Sequence, residues 1–179
     1  MNTRRVSLLR GINVGGHNLV PMTRLREIYA SLGCEDVQTY LQSGNVVYRR
    51  RRAPSGVDAE VEAAIRTELS MQVRVIGRTH DDLARIVGAD PFPEAEPAKR
   101  LVLFLESLPG AAIAQELGTV TTGRDRAILI GQEFHLHCPD GIGRTKLTSM
   151  LSDRRLGVAA TGRNWRTVTQ LLALSADQS

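Results

Sequence analysis

The sequence predicts an α+β protein made of two small antiparallel plaits in tandem, each followed by a helix. Three observations carry that prediction. Strand-like and helix-like hydrophobic patterns alternate in the order strand, helix, strand, strand, helix, strand, helix, and that order occurs twice. Between the two passes lies DPFPEAEP, residues 90–97, whose three prolines interrupt every regular element. The chain of 179 residues is long enough for one ordinary domain or two very small ones, and 42% hydrophobic with 23% charged residues is the composition of a protein with a core.

In the first pass, RVSLL at residues 5–9 is a short apolar strand. Leu25, Ile28, Tyr29 and Leu32 fall at helical spacing, so residues 22–32 form a helix that Gly33 ends. VQTYLQ and VVYRR flank SGN and are expected to pair as a hairpin, with Gly44 and Asn45 taking the positive φ values of the turn. Val57, Val61, Ile65 and Leu69 recur every four residues and predict a helix over 57–70, after which the alternation in QVRVI, residues 72–76, predicts a strand. Thr79 and Asp82 have the spacing of a capping box and open a helix with Leu83, Ile86 and Val87 inward.

The second pass repeats the order after the prolines. Strands are expected at 100–106, 125–130 and 133–138, the last two joined across Gly131 and Gln132, a Gly-X pair that suits a two-residue turn. Helices are expected at 109–117 and 145–151, a short strand at 157–161, and a closing helix at 164–174 with Thr161 as its cap and Trp165, Val168 and Leu172 as its packing stripe. A βαββαβ order makes an antiparallel sheet with helices on one face, the ferredoxin-like arrangement. The expected organisation is a first domain at residues 1–89, a linker at 90–98 and a second domain at 99–179. Residue identities do not repeat between the halves, so the duplication is one of architecture.

Composition excludes several classes. No apolar run approaches the roughly 20 residues a membrane helix needs, and the apolar stretch near the N-terminus, broken at Ser7 and ended at Arg10, is too short for a signal peptide. The protein is expected to be cytoplasmic, with Cys34 and Cys138 reduced and packed as small apolar residues. The net charge of +4 is unevenly spread. Residues 1–26 hold five arginines and no acid, residues 141–166 hold six cations against Asp153, and residues 53–96 hold nine acids against four arginines. The basic ends suit an anionic partner, or else form a solvated face.

The richest loop is LLRGINVGGHN, residues 8–18. Gly11 and Gly16 have the spacing of a phosphate-binding P-loop, yet His17 and Asn18 stand where that motif needs its lysine and hydroxyl, and the GxGxxG spacing is absent. These residues argue against a nucleoside triphosphatase. A weaker possibility is an anion nest of backbone amides at Gly15 and Gly16 beside Arg10, set against a plain loop that uses glycine for turning. Gln42, Ser43 and Asn45 belong first to the hairpin turn, with side chains able to bind a polar ligand. His135 and His137 share one face of a strand, but no third ligand accompanies them and no metal is assigned. Arg163 and Asn164 at a helix start suit an anion.

LLRGINVGG, the helix opener Val20-Pro21-Met22, TYLQSGNVVY, the DPFP segment and TGRNW occur together and in this order. In that combination, from about Arg4 to Leu174, the chain resembles the bacterial proteins of domain of unknown function 1697, with Tyr48 where that family more often has Phe. The resemblance implies two ferredoxin-like α/β halves and implies no activity. Its shared positions are mainly polar residues and glycines in loops, which points to a shared site more than to a shared core. The candidate ligand-binding residues are Arg10, Asn13, Gly15, Gly16, Gln42, Ser43, Asn45, Arg163 and Asn164. The expected ligand is a small phosphate- or carboxylate-bearing molecule, without a cofactor. A nucleic-acid-binding module is the alternative, and RVSLL lacks an aromatic while NVVYR has only Tyr48 on which a base could stack. A non-catalytic interaction or oligomerisation domain is the third. No residue set identifies a catalytic group, so whether the protein is an enzyme stays open at this point.

Overall fold

The computed structural model describes residues 4–50 and 57–176 and shows a mixed α/β protein with two antiparallel sheets and their helices. The chain divides into two compact units, one ending at Leu83 and taking up the chain again from Leu171, the other Ala84–Gln170.

The first unit holds β1 (Arg5–Leu9), α1 (Met22–Ser31), β2 (Glu35–Tyr40), β3 (Asn45–Arg49), α2 (Asp58–Leu69) and β4 (Val75–Thr79), with the sheet order β2-β3-β1-β4. Leu9 of β1, Val46 and Tyr48 of β3 and Val75 of β4 meet Leu25, Ile28 and Tyr29 of α1 and Val61 and Ile65 of α2 in one core. Each such side chain, fully buried, contributes about 1.5–3 kcal/mol. Tyr29 and Tyr48 stack at a tilt with centroids 5.2 Å apart. Beside them Ser7 Oγ donates to Asp58 Oδ1 at 2.8 Å, and burial pushes the Asp58 carboxyl above the usual aspartate range. A Cβ at Gly77 of β4 would lie 2.2 Å from Asp58 Oδ2, so only glycine leaves room for that carboxylate.

α3 (His80–Gly88) starts at the capping box foreseen from sequence: Thr79 N and Thr79 Oγ1 donate to Asp82 Oδ2 at 2.9 and 2.8 Å, and Asp82 N donates back to Thr79 Oγ1 at 3.1 Å. The strand expected at 72–76 instead begins at Val75, because β4 pairs along the length of β1, from Leu9↔Val75 to Arg5↔Thr79. Residues 72–74 are left as the approach to the strand.

The second unit holds β5 (Arg100–Leu105), α4 (Ala111–Leu117), β6 (Thr119–Thr122), β7 (Asp125–Ile130), β8 (Glu133–His137), α5 (Leu147–Met150), α6 (Asp153–Leu156) and β9 (Ala160–Asn164). Its sheet order is β6-β7-β8-β5-β9, with β6 an edge strand that the sequence pattern did not reveal. The helix expected at 145–151 is reduced to the single turn of α5, and α6 follows as a second turn. The short strand expected at 157–161 lies three residues later, since β9 pairs with β5 from Leu105↔Ala160 to Leu101↔Asn164. Thr161 is therefore a strand residue and not a cap. Asn164 caps α7 (Trp165–Ser175) instead, its Oδ1 accepting from Thr167 N at 2.8 Å. The C-terminal part of α7 belongs to the first unit, where Arg4 Nη1 donates to Leu174 O at 2.9 Å and His80 Nδ1 lies 3.0 Å from Ser175 Oγ.

Candidate functional site

The glycine loop leaves β1 at Arg10, whose N–H donates to Arg74 O at 2.8 Å just before β4 begins. It then folds back on itself as a miniature hairpin. Asn13 N donates to Asn18 O at 3.1 Å and His17 N to Val14 O at 3.0 Å, with Gly15 and Gly16 between them at φ +59° and +78°. Positive φ at both central residues is the signature of a type I′ turn, which two glycines adopt without steric penalty. The sequence left open whether these glycines gather amides inward as an anion nest or simply turn the chain. They form an exposed tip, and among the described residues their N–H groups meet no acceptor.

Asn13 ties this hairpin to its surroundings. Its Nδ2 donates to Val20 O at 3.0 Å and to Gln42 O at 2.8 Å, while its Oδ1 accepts from Val20 N at 2.8 Å. Asn18 Nδ2 closes the base on Gly11 O at 3.0 Å. The loop and the turn at residues 41–44 therefore stand side by side, with both asparagine side chains bonded to main chain. In that turn the positive φ values belong to Leu41 (+59°) and Gly44 (+77°), not to Asn45. Gly44 O accepts from Leu9 N at 2.8 Å, and a Cβ on Gly44 would come within 2.8 Å of Ile12 and Leu9 side-chain atoms. Asn45 is fully buried in β3, with Nδ2 donating to Tyr40 O at 2.8 Å and Ser43 Oγ at 3.1 Å. Arg10 and Gln42 are exposed.

The same end of the sheet has a cleft that sequence reading missed. About 390 Å³ in volume, it is lined by Glu62 and Arg66 of α2 and by Gln72, Val73 and Arg74 on the approach to β4. Glu62 is oriented by the main chain, its Oε1 accepting from Val75 N at 2.8 Å, and its Oε2 lies 3.4 Å from Arg74 Nη1. Among the described residues Arg66 meets no carboxylate. Arg10 joins this cleft to the glycine loop through its backbone bond to Arg74. The only hint in the sequence was Arg74 alternating outward in QVRVI.

Arg163 and Asn164 belong to the second unit. Arg163 is buried in β9 with Nη1 donating to Thr161 Oγ1 at 2.9 Å and Gly162 O at 2.8 Å, and burial lowers its pKa to about 10. Asn164 is the α7 cap. Nearby, Arg100 lies over the Trp165 ring at 4.4 Å and bonds to Asp90 and to Phe92 O, the latter at 3.0 Å. His135 is buried with its ring 6.4 Å from that of Trp165, and desolvation lowers its pKa. A cleft of about 270 Å³ in this unit is lined by Arg124, Asp125, Asp140, Arg144 and Lys146 among others, with Arg124 and Asp140 paired at 3.0 Å.

Several classes of chemistry can be placed against this geometry. No group of three or more His, Cys, Asp or Glu residues among the described residues is disposed to hold a metal. Cys34 and Cys138 are free and buried, and burial raises both thiols, Cys34 to about 11. No helix among the described residues is long and apolar enough to cross a membrane. Tyr48, the one aromatic on β3, has its ring in the core against Tyr29, where it offers no surface to a base.

Comparison with known proteins bears on the fold and the family. A conserved bacterial protein from Streptococcus pneumoniae has the same fold, with a TM-score of 0.81 at 21% identity over 98% of this chain and 100% of that one. A search of curated proteins finds no match. Residues 1–135, which include the glycine hairpin, the 41–44 turn and the arginine cleft, match the family described as Protein of unknown function (DUF1697), and the chain belongs to that family.

Proposed function

We propose that the first unit binds a small ligand carrying a phosphate or carboxylate, at the end of the sheet where the glycine hairpin and the arginine cleft adjoin. The observation that carries this reading is the cleft itself. Arg66 and Arg74 line it, and Arg10 reaches its border through the Arg10 N to Arg74 O bond. Guanidinium groups grip oxyanions with charge-assisted, often bidentate hydrogen bonds of about 1.5–3 kcal/mol each. Glu62 holds Arg74 in place from the main chain side, and the Gln72 amide and the amides of the Gly15-Gly16 tip supply neutral donors. Asn13, Ser43 and Asn45 brace the glycine hairpin and the 41–44 turn beside it, and Arg163 and Asn164 serve the second unit.

On the same reading each sheet with its helices is a ferredoxin-like plait, supported by the order β2-β3-β1-β4 and its counterpart β7-β8-β5-β9, with residues 90–98 as the connection and a bacterial cytosol as the setting. The test is thermal unfolding in inorganic phosphate, sulfate and acetate, since a ligand that binds the folded state alone raises Tm as its concentration rises above Kd. Wild type is expected to gain Tm with at least one of these anions, and Arg66→Ala and Arg10→Ala to lose that gain while keeping the anion-free Tm. Equal gains in both variants would sink the proposal.

A further inference from the structure

The corner where the glycine hairpin meets the 41–44 turn exposes apolar side chains that the fold does not use. Val14, Leu19 and Leu41 are 62%, 64% and 54% exposed and make up three of the four large apolar residues so exposed among the described residues. The Asn13 to Gln42 bond sets their two segments together. Scattered exposed leucines are ordinary. These differ in two respects. Leu41 is held at φ +59°, a region that disfavours any residue with a Cβ, so neither backbone preference nor burial accounts for a leucine there. The backbone that presents all three is braced by Asn13 and Asn18, which lowers the entropy lost when a partner is engaged.

Charge selects the partner. Residues 10–20 and 41–45, which build the corner, contain no acid, and Arg10 stands exposed at the base of the loop. We infer that this corner docks an apolar segment of another protein that also carries acidic residues. Val14, Leu19 and Leu41 are the anchors, and Arg10, His17 and Gln42 are the polar rim. A second copy of this chain would bring two cationic, acid-free corners together. A lipid surface would gain only about 1 kcal/mol from one arginine. The inference goes beyond the small-ligand reading and does not depend on it.

The experiment is an array of random-sequence peptides probed with fluorescent full-length protein. The brightest peptides are expected to be enriched in both aliphatic and acidic residues. Leu41→Gly should weaken them roughly tenfold or more, the loss expected of a removed anchor, while raising Tm because glycine accepts the left-handed backbone. Val14→Asp should weaken them at unchanged Tm, and Arg66→Ala should leave them alone, which separates this site from the anion cleft. Four results would overturn the inference: no peptide above background, a preference for basic peptides, signals indifferent to Leu41→Gly and Val14→Asp, or a Leu41-dependent dimer or binding to phosphatidylserine vesicles in place of peptide binding.

Discussion

The glycine hairpin of the first unit and the Arg163-Asn164 corner of the second are built from the same residue types, and the fold uses them differently. In the second unit the conspicuous polar groups are engaged internally, with Asn164 capping α7 and Arg163 bonded to Thr161 and Gly162. In the first, Asn13 and Asn18 are consumed in the same way, yet what they brace is a tip with open amides, exposed Arg10 and exposed apolar side chains. The polar loop residues of the two corners thus do the same local work, and the corners differ in what is left exposed around them.

Glycine substitutions should separate the two corners most widely. Gly44→Ala combines a φ of +77° with a Cβ 2.8 Å from Ile12 and Leu9 atoms, and we expect a loss of about 3 kcal/mol in urea unfolding. Gly162→Ala has ordinary backbone and its nearest side-chain atom at 3.3 Å, so its effect should stay within about 1 kcal/mol. Similar losses at both would mean that the first corner is no more tightly determined than the second.

Asparagine truncations come next. Asn13→Ala strands three main-chain partners and should cost about 2 kcal/mol, whereas Asn164→Ala removes one cap bond and should cost about 1 kcal/mol. Urea midpoints with unchanged m-values would measure both. The reverse order would show that the hairpin is held by something other than Asn13.

Much of this architecture was legible in advance, and the exceptions share a cause. Helical spacing located α1 and α2, the Thr79–Asp82 box located α3, and the Gly131-Gln132 pair located the β7–β8 turn, because each is a local code. β4 and β9 each lie three residues beyond their expected places, since register is set by the partner strands β1 and β5 and not by the alternation within 72–76 or 157–161. Thr161 and Asn164 are both capping types, and only the strand end decides between them. The arginine cleft was hidden for the same reason: Arg74 borders a cavity because β4 starts one residue later. The exposed Leu41 was read as part of a strand and carried no warning of its left-handed backbone.

A smaller effect separates the units by pH. Burial raises the folded pKa of Asp58 above the ordinary 3.8, so its stability contribution is fully present below that value and lost as pH rises through the folded pKa. Burial lowers the folded pKa of His135 below 6.5, so stability attached to it is lost as pH falls from 6.5 through the folded pKa. Asp58→Asn should flatten the decline on the acid side and His135→Gln the rise towards neutrality, each measured by urea unfolding across pH. Slopes of the opposite sign would contradict the burial of these two groups.

Whether the first unit, and not the second, holds the anion is decided by titrating inorganic phosphate into isotope-labelled protein and following backbone amide chemical shifts. Binding at the first unit predicts saturable shifts at Gly15, Gly16, Gln72 and Arg74 that disappear in Arg66→Ala. Shifts confined to Gly123, Gly141 and Arg144 in the second unit, or no saturable shift at all, would contradict it.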